Sequence, residues 1–286
     1  MTTIFCSNGF FRHIPVNESV SYFLQNGIKN IEISSGINDE ESLAYLKNLQ
    51  KDDVRFRLHN YFPNLNHNFV LNLSSADVLV RSLSKDLIRR AVQWSSELES
   101  DYYAFHAGFR LSPTPSELGG NLTAKDMISF QDSKDIFINE VIQLAEYARG
   151  YGVHLAVENN VYDSNNYSRF KPQNPFLLCG DIESDILDHL PSDVGILLDV
   201  AHLKVSAATL NFNKTEAVGR WLNKISGLHL SDNDSKRDTN NGFNEDAWFL
   251  KLLEHEVKAI TIEVYNQDPE QLLEYIALVE DNLISH

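Results

Sequence analysis

Short apolar, β-prone runs recur along this chain, separated by stretches in which apolar residues fall three and four positions apart. The runs occupy residues 2–6, 29–33, 55–59, 102–106, 153–158, 194–199, 225–230 and 259–264. Their length and their content of β-branched and aromatic residues suit strands. Between two of them, Leu87, Ile88, Ala91, Val92 and Leu98 share one face of a helix that Ser84 is placed to cap. Ile138, Val141, Ile142 and Ala145 repeat the pattern over residues 136–148, which Gly150 and Gly152 terminate. Near the amino end, Val20 to Gln25 reads helical behind an Asn17 cap, and Asn26-Gly27 is its stop. Eight strands alternating with helices predict a parallel sheet with right-handed crossovers, closed as a (β/α)8 barrel.

The strands end in a way that the barrel explains. Glu32, His59, His106, Glu158, Asp199, His229 and Glu263 stand at or next to the carboxyl ends of seven of them. An acid or imidazole closing an apolar run is costly to bury without a partner. The connections before the strands are short turns such as Asn26-Gly27, whereas those after them, residues 61–81, 108–133, 159–174 and 231–246, are long and polar. A barrel keeps its active site at the carboxyl ends of its strands, on loops of this kind. No domain boundary or low-complexity segment interrupts residues 1–286, which read as a single α/β barrel domain.

Four of the strand-end residues, Glu158, Asp199, His229 and Glu263, fall on consecutive strands. Three carboxylates and one imidazole suit a hard or borderline divalent ion, Mn²⁺, Mg²⁺ or Zn²⁺. Any one of them alone could be a strand cap or the partner of a nearby cation. Asp199-Val-Ala-His202 sets a second imidazole one helical turn past the acid. His59 and His106 are open to two roles: second-metal or substrate contacts, or satisfied structural histidines. Glu32, with Ile33 still to follow, reads as a hydrogen-bonding or salt-bridge residue rather than a ligand. In Glu158-Asn159-Asn160 an amide, Asn160, can meet a polar ligand. After His229, Lys236 and Arg237 could hold an anionic or polyhydroxylated substrate, or belong to a solvated turn. His13, His67, His154, His189, His255 and His286 have no comparable context.

Charge narrows the partner. The 24 basic and 40 acidic residues give a formal charge of −16, which disfavours nucleic acid. Two cysteines, Cys6 and Cys179, make no disulfide framework and suggest a reducing compartment. No apolar run is long enough for a bilayer, and the first residues have no leader-like pattern. A cytoplasmic protein with no membrane partner is expected.

These residues resemble the xylose isomerase-like barrel superfamily, which contains sugar isomerases and epimerases and the endonuclease IV group. The resemblance spans essentially the whole chain. It is carried by Asn30-Ile-Glu-Ile33, Leu58-His59, Phe105-His106-Ala-Gly108, Ala156-Val-Glu158-Asn159, Leu198-Asp-Val-Ala-His202, Gly227-Leu-His-Leu-Ser-Asp-Asn233 and Thr261-Ile-Glu263. The resemblance implies that Glu158, Asp199, His229 and Glu263 are metal ligands, with the two glutamates as acid and base, and that His202 bonds a substrate oxygen. The implied reaction is isomerisation or epimerisation of a sugar or sugar phosphate through an enediolate. It also implies a possible homo-oligomer.

A second branch stays open, because His59, His106, Glu158, Asp199, His202, His229 and Glu263 equally match the trinuclear zinc ligands of the endonuclease IV group. Asn72-Leu-Ser-Ser75 resembles that group's third-strand loop as well. The chain departs where Asp238-Thr-Asn240 replaces an acid and a histidine one residue apart, and an asparagine amide is a poor zinc ligand. A polyol-type dehydratase would use the same residues, and a barrel that only binds would keep them without turnover.

Overall fold

Eight parallel strands close on themselves in chain order. They are β1 (Ile4–Ser7), β2 (Asn30–Ile33), β3 (Arg55–His59), β4 (Tyr102–His106), β5 (His154–Glu158), β6 (Gly195–Asp199), β7 (Ile225–Leu230) and β8 (Ala259–Ile262). The barrel is completed where β8 pairs with β1, Phe5 beside Thr261. This computed structural model describes residues 3–11, 13–65, 67–123, 126–180, 184–265 and 268–284. Thr2 and His286 lie outside them.

Helices pack outside the barrel: α1 (Val16–Gln25), α2 (Ser42–Leu49), α3 (Val78–Glu97), α4 (Phe130–Arg149), α5 (Ser164–Phe170), α6 (Ser184–His189), α7 (Val200–Leu210), α8 (Lys214–Trp221) and α9 (Pro269–Ile284). The predicted face of α3 is buried throughout, from Leu87 to Leu98. Its start differs from expectation. Asp77, not Ser84, caps α3 by accepting the Leu79 N–H at 2.8 Å. Ser84 sits inside the helix and donates back to Val80 O at 2.7 Å. The first turn was not legible because Val78 and Leu79 are 68% and 65% exposed and add nothing to the apolar stripe. Likewise α1 begins at Val16, ahead of Asn17. In α4 the buried stripe is Phe137, Ile138, Val141, Leu144, Ala145 and Ala148, and Ile142 points away from it into solvent. Neither cysteine is in a disulfide among the described residues, and both are buried.

Side chains two apart on a strand share a face. On β4, β5 and β6 this puts Tyr102, Ala104 and His106, then His154, Ala156 and Glu158, then Leu197 and Asp199, on common faces. Tyr102, Ala104, Ala156, Leu197 and Ala259 form a small apolar cluster of their own, separate from the main core between strands and helices. The cluster fills the barrel beneath the polar strand ends. Close packing there leaves no room at Gly227, where a Cβ would collide with Tyr102 Oη. The strand register then sets the polar layer: His106 lies beside Glu158 and Asp199 beside His229.

Candidate metal centre

The carboxyl ends of β5 to β8 bring Glu158, Asp199, His229 and Glu263 together. Each offers one ligand atom, these atoms lie within 4.8 Å of one another, and all four residues are buried. A second group, His106, Glu158 and His202, shares Glu158 with the first, and a third joins Glu32, His59 and His229. The sequence-predicted residues Glu158, Asp199, His229, Glu263, His59, His106 and His202 therefore meet in one place. Arg237 does not join them; it is exposed on the loop after β7.

Each side chain is held by local structure. Asp199 is the N-cap of α7: its Oδ1 accepts the His202 N–H at 2.7 Å. Its Oδ2 is buried and has no hydrogen-bond donor among the described residues. One carboxylate oxygen is thus spent on the helix and the other is left for a cation. The same cap turns His202 toward the site. His202 Nδ1 is 2.8 Å from Asn159 O, which leaves Nε2 facing Asp238 Oδ2 at 3.1 Å. Asn159 also ties β5 to β6, with its Nδ2 on Asp199 O (3.1 Å) and its Oδ1 accepting from Asp199 N (2.8 Å).

Glu158 is the hub. Its Oε2 is 2.9 Å from His59 Nε2 and 3.2 Å from His106 Nδ1, and its Oε1 is 3.6 Å from His229 Nδ1. His229 Nδ1 lies 2.8 Å from Glu263 Oε2. Burial opposes the charge on Glu158, yet His106, His59 and His229 together outweigh it and hold the carboxyl well below the usual range. Asp199 has the opposite balance. Burial, with Asp238, Glu158 and Glu263 nearby, pushes it up to about 7, against the pull of His202. For His229, burial disfavours the cation, but Glu32 and Glu263 raise its pKa well above the ordinary value. His202 is raised in the same way by Asp199 and Asp238 against burial.

This donor set fits a divalent ion. Three carboxylates and an imidazole converge in a buried site, and the free Asp199 Oδ2 would otherwise be an uncompensated acceptor. Without an ion, protonated His229 and His202 supply the counter-charge. Loading an ion would displace those protons.

Several residues that build the site carried no periodic signal. Asn160, expected at a ligand, commits its amide N–H groups to Gly108 O (2.9 Å) and Leu177 O (2.8 Å). It braces loops, and those donors are not free for a substrate. Asn72 does the same for the loops after β3 and β4, donating to Phe109 O and Leu111 O at 3.0 Å each. Asn8 bridges to the loop after β2 by accepting from Ser34 N at 2.9 Å. The one sequence cue for these braces is the density of asparagine just after strands: Asn8, Asn60, Asn159, Asn160 and Asn233. Asp238, read in the sequence as half of a degraded motif, is drawn in against His202.

A family model for the xylose isomerase-like TIM barrel matches residues 21–280. The chain belongs to that family. An uncharacterized protein of Methanocaldococcus jannaschii is 23% identical over 224 residues, 78% of this chain; the match spans 64% of that relative's length. Among solved structures, a D-tagatose 3-epimerase-like protein superposes with a TM-score of 0.72 at 19% identity, covering 99% of this chain and 100% of that one. A Thermus thermophilus protein soaked with ZnCl2 superposes with a TM-score of 0.62 at 21% identity, covering 97% of this chain and 98% of that one. At these identities the likeness is one of fold. No helix among the described residues is long and apolar enough to cross a membrane.

Proposed function

We propose that this protein is a divalent-metal-dependent isomerase or epimerase of a sugar or sugar phosphate, moving a carbon-bound proton through an enediolate. The observation that carries the reading is that two glutamates, Glu158 and Glu263, enter one four-residue ligand cluster from strands β5 and β8, three strands apart in a ring of eight. Two carboxylates approaching from different sides can remove a proton on one face of a carbon and return it on the other. The likeness to a D-tagatose 3-epimerase-like protein supports the same substrate class.

Glu158, Asp199, His229 and Glu263 would hold the ion, Mn²⁺, Mg²⁺ or Zn²⁺. Bound there, it would polarise a substrate carbonyl and lower the cost of the adjacent carbanion. Glu158, its Oε2 held 2.9 Å from His59 Nε2 and 3.2 Å from His106 Nδ1, is the first proton carrier. Glu263 is the second proton carrier. His202, its ring fixed through Asn159 O, meets Asp238 with its Nε2 at 3.1 Å, so a substrate oxygen would have to take the place of that carboxylate. Arg237 is a candidate outer contact for a phosphate or hydroxyl at the far end of the substrate.

Incubation with ketoses and ketose phosphates in D₂O with Mn²⁺ tests this by NMR. Solvent deuterium at the carbon next to the carbonyl, with formation of an epimer or aldose, is the expected result. Ion-loaded protein that exchanges no proton of any such sugar contradicts it. A polyol-type dehydratase would exchange the proton and release a dehydrated product in the same assay.

One observation favours a second reading, a zinc phosphodiesterase of the endonuclease IV type. His59 and His106 flank Glu158 on one side, and His202 meets Asp238 on the other, more ligand types than a single ion needs. Asn240 in place of a histidine, and the −16 charge, weigh against it. Cleavage of abasic-site DNA by zinc-loaded protein would select this reading.

A further inference from the structure

Beside the four-residue cluster lies a buried carboxylate, Glu32, that the proposed chemistry does not use. Glu32, His59 and His229, all buried, offer ligand atoms within 4.8 Å of one another; Glu32 Oε1 lies nearest His229 Nε2 and, farther off, His59 Nδ1. None of the three atoms has a directed hydrogen-bond partner among the described residues. Their distances are nevertheless short: Glu32 Oε1 is 2.8 Å from His229 Nε2 and 3.8 Å from His59 Nδ1. The other carboxylate oxygen, Glu32 Oε2, accepts the Thr261 hydroxyl at 2.7 Å, which fixes the carboxylate plane from β8. The opposite nitrogens of the two rings face the cluster: His59 Nε2 toward Glu158 at 2.9 Å and His229 Nδ1 toward Glu263 at 2.8 Å.

A neutral imidazole has one nitrogen with a free lone pair and one that carries a proton. If His229 turns its Nδ1 lone pair to an ion among the cluster's carboxylates, its Nε2 must carry the proton. The acceptor for that proton is Glu32 Oε1. His59 Nδ1, 3.8 Å from the same oxygen, is beyond hydrogen-bond reach, and that ring donates instead through Nε2 to Glu158. An ion seated on His229 Nε2 as well as one on its Nδ1 would leave that ring no proton at all, which a neutral imidazole does not allow.

We propose that Glu32 is the positioning residue of the site: anchored by Thr261, it accepts the Nε2 proton of His229 and so fixes the tautomer whose Nδ1 lone pair lies on the Glu158 and Glu263 side. This rests on the reading that Glu158, Asp199, His229 and Glu263 hold the ion. Outer carboxylates of this kind orient metal-bound histidines and raise their basicity. Arg57, buried and in register with Glu32 on the neighbouring strand, adds a positive charge beneath.

The test uses the full chain, with Zn²⁺ and Mn²⁺ as probes. Glu32→Gln keeps the shape and removes the charge; it should weaken ion binding by roughly 10- to 100-fold. Thr261→Val should weaken it less, and Thr261→Ser, which keeps the hydroxyl, should restore wild-type binding. In ¹⁵N-histidine-labelled protein, His229 should keep its Nε2 proton when Zn²⁺ binds, and that signal should move in Glu32→Gln. Unchanged ion binding in folded Glu32→Gln overturns the proposal, as does loss of the Nε2 proton on Zn²⁺ loading or anomalous scattering from an ion at the Glu32 group. If wild-type protein binds no ion, the proposed function fails. The spectrum of the ion-free protein then decides the role of Glu32 separately: a His229 Nε2 proton indifferent to Glu32→Gln overturns it.

Discussion

Inside the lower part of the barrel the strands present Tyr102, Ala104, Ala156, Leu197 and Ala259, packed as an apolar plug. One or two steps further along the same strands the same face presents His106, Glu158, Asp199 and Glu263, with His106 Nδ1 and Asp199 Oδ2 buried and without hydrogen-bond partners among the described residues. The backbone is continuous between the two, so the difference is one of side chains alone. The plug is satisfied by packing and asks for no ligand. The mouth is a concentration of charge that packing cannot satisfy. A barrel can carry such a mouth because the plug and the outer core supply its stability.

The largest effect that would sharpen this contrast is on turnover. Glu158→Gln and Glu263→Gln should each lower kcat by roughly 10²–10⁴-fold, the usual contribution of a positioned acid or base. Far-ultraviolet circular dichroism should show both variants folded. Loss of activity only through unfolding would break the division between the two ends. Next, Leu197→Ala in the plug should cost about 2–5 kcal/mol in denaturant unfolding. Ion binding by the fraction that stays folded should be unchanged. Gly227→Ala should cost about 1–3 kcal/mol by overpacking, since its Cβ collides with Tyr102 Oη and meets Ala259 Cβ at 3.1 Å.

A smaller effect concerns pH and follows from the mouth alone. His229 and His202 have raised pKa values in the ion-free protein, with carboxylates outweighing burial. They bind protons more tightly folded than unfolded, so their contribution to stability is complete below about pH 6.5 and is lost as pH rises through their folded values. Asp199, pushed up to about 7 by burial, acts in the same direction between about pH 4 and 7. The ion-free protein should therefore have a falling Tm as pH rises above neutrality. With Mn²⁺ the trend should reverse, because the ligands must shed those protons to bind the ion. A Tm that falls with pH to the same extent with and without the ion would contradict this.

The sequence carried most of the barrel, for a physical reason. All eight strands were legible because each is a short apolar run closed by a turn or a polar end, and β3, β4 and β7 match their expected limits residue for residue. The polar strand ends were legible for the same reason, as charges where a core run should continue. What escaped was the hydrogen-bonded scaffolding. Asp77 as the cap of α3 was hidden behind exposed Val78 and Leu79, and the loop braces Asn72 and Asn160 have no period to betray them. Glu32 read as a polar residue of the barrel mouth, but only the fold shows that it stands against His229.

Elemental analysis of protein purified without chelator, beside Asp199→Asn prepared identically, tests the central claim most directly. Asp199→Asn keeps an oxygen for the α7 cap and removes the unpartnered anionic one. The account predicts a divalent ion in the wild type, about one per chain for the four-ligand cluster, and its loss from the variant. No ion in either protein, even after Mn²⁺ or Zn²⁺ is supplied, or the same ion content in both, would contradict it.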